Sequence, residues 1–248
     1  MRETRIVMGM PATVELHGAN AKQEVLEAVF AYFTAIDTQF STYKTDSEIS
    51  RINRGEVTEE AYSPRMKEVL AIAEDTKKKT NGYFDVLTPS GSTDPSGLVK
   101  GWAIRNAAEL LEKSGMTNFM IDVAGDIATR GKNAEGMPWS IGIRNPFNRE
   151  EIVQVVYPHD RGIATSGSAV RGNHIYNPHA PEESLDEVVS VSVIAPDVLT
   201  ADLYATTAFA MGAEGIRFVE STQGLEGYAI DKNGIAAMTS GWNELTTI

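Results

Sequence analysis

The sequence predicts a mixed α+β fold with largely antiparallel sheets and helices packed against them. Three observations lead there. Strand-type alternation recurs more often than the 3.6-residue helical pattern, several strand pairs are joined by short hairpin-like connections rather than helical crossovers, and no internal repeat or low-complexity linker divides the chain. The 248 residues therefore read as one domain over 1–248, long enough to bury a substantial core.

In order, Ile6 to His17 is strand-like and is broken by Met8-Gly9-Met10-Pro11 into two short strands. Lys22 to Phe40 sets Val25, Val29, Phe33, Ile36 and Phe40 at helical spacing. Ser47 or Asp46 can cap a short helix ending near Gly55, and Tyr43 stands just ahead of it in polar company. An aromatic there is either half-buried packing or a platform for a planar ligand. Ser63 and Pro64 open a helix through Met66, Val69, Leu70 and Ala73 that stops at Asn81-Gly82. Asp94-Pro95-Ser96-Gly97-Leu98-Val99-Lys100-Gly101-Trp102 starts as a turn, with Gly97 free in its backbone angles. It then enters a helix whose buried face is Trp102, Ala103, Ala107, Leu110 and Leu111, closed by Gly115.

Beyond it, Phe119 to Val123 is an apolar strand ending in Ala124-Gly125-Asp126, and Trp139 to Ile143 and Ile152 to Tyr157 are further strands. Gly162 to Gly167 and Asn173 to Pro178 read as a small-residue, polar, loop-like region. Val188 to Ile194 alternates as a strand with one buried face. Thr200 is expected to cap a helix from Ala201 to about Met211, a second short helix follows Gly215, and Gly227 to Thr239 closes as a hairpin around Lys232-Asn233-Gly234.

Composition removes several classes of function. The net charge is −12 with no basic run, which argues against nucleic acid and anionic membrane as partners. An anionic small ligand would need a local cation or a helix N-terminus. The chain has no cysteine, so disulfides, thiolate catalysis and cysteine-ligated zinc are excluded. No run is long enough to span a bilayer, and Met1 to Ile6 carries neither an apolar signal core nor a lipid-anchor cysteine. A cytoplasmic location without membrane insertion is the expectation.

The common catalytic signatures are missing: no GxGxxG, Walker loop, HExxH or EF-hand loop is found. Ala164-Thr165-Ser166-Gly167-Ser168 lacks the first glycine of a nucleophile elbow, and its loop-like surroundings disfavour a Ser166–His174 hydrolase pair. The Asp94 to Trp102 stretch offers an anion seat with Lys100 beside it, or else an ordinary loop–helix junction. Asp202 and Thr206, at i and i+4, share a helix face. A carboxylate and a hydroxyl suit a Mg²⁺ ion that keeps phosphate oxygens as further ligands. Equally, the aspartate could complement the helix dipole while the threonine bonds back to its own helix. His174 is either a polar site residue or a loop histidine, and Asp126 either a turn former or a functional carboxylate.

The order of these blocks along the chain settles the choice. Met8-Gly9, Ser41-Thr42-Tyr43, Ser47 to Asn53 and Gly82-Tyr83-Phe84-Asp85-Val86 come first. Asp94 to Gly101, Ala124-Gly125-Asp126, Thr165-Ser166-Gly167, His174-Ile175-Tyr176-Asn177-Pro178 and Ala201-Asp202 to Thr206 follow. This succession resembles the FAD:protein FMN transferases, the ApbE family, from Met8 to about Met211. The resemblance implies an ApbE-like, T-fold-related architecture with FAD in a groove. It implies magnesium held by Gly97, Asp202 and Thr206, and FAD contacts from Met8, Tyr43, Asp85, Val86, Leu87, Asp94, Lys100, Thr165 and His174. His174, Lys100 and Asp126 are the implied catalytic groups. The implied reaction is Mg²⁺-dependent transfer of FMN from the substrate FAD to a threonine or serine hydroxyl of an acceptor flavoprotein, releasing AMP. A Mg²⁺-dependent FAD pyrophosphatase and a non-catalytic flavin-binding module are the rivals. Three positions depart from the family pattern: Ala124 stands where a glycine is usual, Arg105 where aspartate is frequent, and Asn177 where an aspartate precedes the proline.

Overall fold

An antiparallel sheet of eight strands carries the fold; the computed structural model describes residues 1–148, 150–167 and 175–247. Its strands are β1 (Arg2–Val7), β2 (Met10–His17), β3 (Asn118–Val123), β4 (Asp126–Arg130), β7 (Gly162–Gly167), β8 (Val188–Ala195), β9 (Glu226–Asp231) and β10 (Ala236–Met238), hydrogen-bonded in that spatial order. A separate hairpin is formed by β5 (Ile141–Arg144) and β6 (Ile152–Val156). The helices are α1 (Gln23–Phe40), α2 (Glu48–Asn53), α3 (Pro64–Lys79), α4 (Ser96–Lys113), α5 (Val198–Ala210) and α6 (Gly215–Ser221). Among the described residues no helix is long and apolar enough to cross a membrane.

Strand alternation decides which layer each element joins. On one sheet face Val14, Leu16, Phe119 and Ile121 meet the apolar stripes of α1, α3 and α4, with Trp102 as the largest buried side chain. Further along the same face Ala164, Val191, Val193 and Ala229 pack under Ala201, Ala205, Ala208 and Phe209 of α5. The alternate residues Ile163, Ile194, Tyr228 and Ile230 point the other way, against Ile141, Ile143 and Val156 of the hairpin and against Trp242 and Leu245. Helices therefore cover one face of the sheet and the hairpin covers part of the other.

Most of the expected elements form where the periodicity puts them. The caps Ser47 and Ser63 accept hydrogen bonds from the Ser50 and Met66 amides. Four local expectations are corrected. Gly162 to Gly167 is a central strand, paired to β4 and β8, and not a loop. Its small residues answer to α5 lying directly on it: a Cβ on Gly162 would overlap the backbone nitrogen and Cα of Val198. β4, which begins at Asp126, was not anticipated as a strand. Helix α5 starts three residues early because Asp197 is the cap, its Oδ1 and Oδ2 accepting from the Thr200 amide and hydroxyl at 3.0 and 2.8 Å. Gly97 lies inside the first turn of α4 with helical backbone, while Asp94 Oδ1 receives the Ser96 amide at 3.0 Å.

The two glycines should respond to alanine in opposite senses. Gly162→Ala should cost about 1–3 kcal/mol of unfolding free energy through overpacking. Gly97→Ala meets nothing nearer than Phe84 Cε2 at 3.8 Å, and should gain roughly 0.5–1 kcal/mol from lost unfolded-chain freedom. Urea midpoints of the two variants, at constant m, check both signs.

Candidate active site

The site begins where α4 and α5 touch. A Cβ on Gly101 would stand 2.8 Å from Asp202 Cβ and 3.0 Å from Leu199 Cα, so only glycine allows this approach without displacement. In return the Gly101 N–H donates to Asp202 Oδ2 at 2.9 Å, deep in the structure. One residue earlier, Lys100 sends its ammonium between two carboxylates: Nζ is 2.6 Å from Asp126 Oδ2 and 3.8 Å from Asp202 Oδ1. Asp126 is 1% and Asp202 3% exposed. Asp126 Oδ1 also receives the Thr165 N–H at 3.3 Å, tying β4 to β7.

Two buried carboxylates thus share one ammonium, and the electrostatics follow. The Asp202 carboxyl is pushed up to about 8, first by burial and further by the neighbouring Asp126, against the opposing pull of Lys100. One turn along α5, Thr206 Oγ1 lies 3.2 Å from Ser166 Oγ, and Thr165 Oγ1 lies 2.8 Å from Ser192 Oγ. Oxygen atoms and a deficit of positive charge therefore gather on one wall.

That wall belongs to a cavity of about 980 Å³. It runs from Tyr83, Asp85, Val86 and Asp94, past Gly97, Lys100, Thr165, Asp202 and Thr206, to Asp122 and Arg144 beside the hairpin. Asp85 is fixed at its end by Lys77 at 2.7 Å and by the Leu87 amide at 2.9 Å. Opposite, Tyr176 and Pro178 form a second wall. It is anchored by His179, whose ring nitrogen donates to the Asn81 carbonyl at 2.8 Å while the ring meets Tyr83 edge-on at 4.5 Å.

The structure thus brings Gly97, Lys100, Asp126, Thr165, Asp202 and Thr206 together, with Asp85, Val86 and Asp94 on the same cavity. Three residues expected to contact FAD do not line this cavity. Met8 sits in the β1–β2 turn at φ 50° and packs against the core, Tyr43 is 97% exposed, and Leu87 points to solvent; none of them lines the cavity. His174 lies outside the described residues. Gly101, Asp122 and Arg144 were not singled out from sequence. For Gly101 a signal existed, since glycine in a helix interior costs about 1 kcal/mol and so marks a close approach. Asp122 and Arg144 carry no comparable mark. Burial raises the Asp122 carboxyl, while its bond from the Gly125 amide and the nearby Arg144 oppose that rise.

The sequence profile of the ApbE family matches residues 8–90 and 87–229. This chain belongs to the ApbE family. A relative from Klebsiella pneumoniae, named FAD:protein FMN transferase, is 29% identical over 86% of this chain and 79% of its own length. One of the same name from Escherichia coli is 26% identical over 92% of this chain and 83% of its own. Among solved structures, the flavin transferase ApbE from Vibrio cholerae superposes with a TM-score of 0.87 at 24% identity, covering 99% of this chain and 98% of that one. The ApbE protein of Thermotoga maritima gives 0.85 at 19% identity, covering 100% and 99%. Those structural likenesses establish the mixed, antiparallel ApbE fold.

In an ApbE chain built this way the lysine is a structural necessity of the site. Lys100→Met should lower stability by about 3–5 kcal/mol, because it leaves two buried carboxyls without their cation. Adding Asp126→Asn should recover part of that loss, giving a coupling energy beyond about 0.5 kcal/mol in a double-mutant cycle measured by urea unfolding at pH 7.

Proposed function

We propose that this protein transfers FMN from FAD to a threonine or serine hydroxyl of an acceptor protein, with Mg²⁺, releasing AMP. The observation that carries the reading is the wall on which Gly97, Lys100, Asp202 and Thr206 meet inside a cavity large enough for a dinucleotide. The family's named relatives act on FAD and a protein, and the arrangement here suits that chemistry. FAD contacts are assigned to Asp85, Val86, Asp94, Lys100 and Thr165.

The metal test is one of charge and donor type. Two buried carboxyl groups face one ammonium, and the side-chain atoms beside them on this wall, from Thr165, Ser166 and Thr206, are oxygen, which suits a hard divalent cation. Among the described residues no cluster of three or more His, Cys, Asp or Glu side chains is gathered for a metal. The donors would therefore be the Asp202 carboxylate, the Thr206 hydroxyl and the Gly97 carbonyl, with substrate oxygens completing the shell. When bound, Mg²⁺ supplies charge neutralisation at the pyrophosphate. The acceptor oxygen forms a bond to the FMN-side phosphorus and the bond to the AMP oxygen breaks. Lys100 holds positive charge at the same place, and the acceptor's proton goes to a general base, for which His174 is the candidate.

The deciding assay mixes the protein with FAD and Mg²⁺, with and without a small acceptor domain carrying a target threonine, and reads intact mass and AMP. Turnover only with acceptor supports transfer. AMP without acceptor supports the pyrophosphatase, and tight FAD binding without AMP supports the binding module.

Asp202 lies at the fifth position of α5, beyond the turn where the helix dipole acts, so its side chain is not there for the helix. Asp202→Asn should abolish metal-dependent transfer while the chain stays folded by circular dichroism, and Thr206→Val should do the same more weakly. His174→Asn should keep FAD affinity by calorimetry and lose roughly 10²–10⁴-fold in turnover. Full transfer by Asp202→Asn at limiting Mg²⁺ would move the metal elsewhere.

A further inference from the structure

Large apolar side chains in solvent are unusual enough to need a reason when they cluster. Phe147 is 58% and Ile235 66% exposed. They come from distant parts of the chain, and the Phe147 ring reaches the β9–β10 turn next to Ile235: a Cβ on Gly234, the preceding residue, would be 3.9 Å from Phe147 Cε2. Both are presented by well-bonded turns. In the β5–β6 connection the Phe147 amide donates to Asn145 Oδ1 at 2.9 Å. The Asn145 backbone and side-chain nitrogens donate to the Glu151 carbonyl and carboxylate at 2.8 and 2.7 Å. In the β9–β10 connection Asp231 Oδ1 receives the Asn233 and Ile235 amides, each at 2.8 Å.

The patch is continuous with the cavity. Asn145, Pro146 and Ile152 line it beside Phe147, and Val189 and Ser190 line it beside the β9–β10 turn. Its far edge carries two exposed carboxylates, Asp186 and Glu187, against one exposed cation, Lys232, whose amide donates to the Glu187 carbonyl at 3.0 Å, so acidic groups outnumber basic ones there. Exposed apolar anchors on well-bonded turns, edged by charge and next to residues that line the cavity, have the anatomy of a protein-docking centre with a charged rim.

We propose that Phe147 and Ile235 anchor the acceptor protein, which presents an apolar side chain flanked by lysine or arginine close to its target hydroxyl. The inference rests on the transferase reading, since only a macromolecular acceptor needs a surface outside the cavity. The occupant's basic flank follows from the acidic edge and from the net charge of −12. The same charge sets the patch against an anionic lipid surface.

The test uses the full chain and an acceptor domain carrying a target threonine, made in two versions with lysines or glutamates beside that threonine. FMN transfer is followed by intact mass at saturating FAD, and FAD affinity by calorimetry. Phe147→Ser with Ile235→Ser should raise the acceptor KM about tenfold or more, as expected for losing central anchors, while FAD affinity stays unchanged. Asp186→Lys with Glu187→Lys should reverse the preference for the lysine version. An unchanged acceptor KM in the folded double variant, when the unaltered enzyme transfers FMN, overturns the docking assignment and leaves the transferase reading standing. Failure of the unaltered enzyme to label either version removes that reading and the docking assignment with it. A dimer in sedimentation velocity that Ile235→Glu dissociates would show the patch covered by a second copy, and would also overturn the proposal.

Discussion

The close approach of α4 and α5 at Gly101 is the constraint on which the site depends. Because position 101 has no side chain, Asp202 can lie against the α4 backbone and take its N–H. Burial there strips the carboxylate of water, and neither the single backbone bond nor Lys100 at 3.8 Å restores all that hydration provided. The carboxyl is held up as a result. A carboxyl raised this way is stabilised as an anion by any positive charge brought near it, so the same packing contact sets both its position and its protonation.

The sheet divides the remaining work. Alternation along β7 sends Ala164 and Ser166 toward α5, and Ile163 and Thr165 toward the cavity side. One strand therefore supplies core packing, the Ser166 partner of Thr206, and the Thr165 amide that orients Asp126. Such a strand has little freedom in its composition. Gly162 must admit the α5 backbone and Gly167 must clear the Val189 carbonyl, which a Cβ would approach to 2.6 Å. Small residues that weaken β-propensity are the condition for the helix to sit close enough to bring Thr206 and Asp202 to the cavity.

That conflict explains what was legible in the sequence and what was not. Helices α1, α3 and α4 announced themselves through their apolar stripes, and the caps Ser47 of α2 and Ser63 of α3 act locally. β7 looked like a loop because Gly162 and Ser166 answer to a helix more than thirty residues later, and Gly167 to the backbone of β8. The α5 start was misplaced because Asp197 and Thr200 are both good caps, and only the observed bonds choose between them. Asp202 and Thr206 were readable as a pair from their spacing. Their company with Lys100 and Asp126 came only through the order of family-like blocks, since nothing local connects residues a hundred positions apart. Tyr43, expected from its polar setting to offer a ligand platform, is 97% exposed and does not line the cavity.

The division between two faces also bears on how a protein could be modified by such a fold. The helix face is filled by core, so nothing large can approach from there. On the other face the β5–β6 hairpin shields part of the sheet, and Phe147 in its turn approaches Gly234 of the β9–β10 turn next to residues that line the cavity. The polar groups that α4 and α5 bring to the cavity are locked by burial. Side chains carried on the surface turns are not, and substitutions there are cheap because no core packing depends on them. The groups on α4 and α5 are thus fixed by the close helix contact at Gly101, while the surface turns can vary without disturbing it.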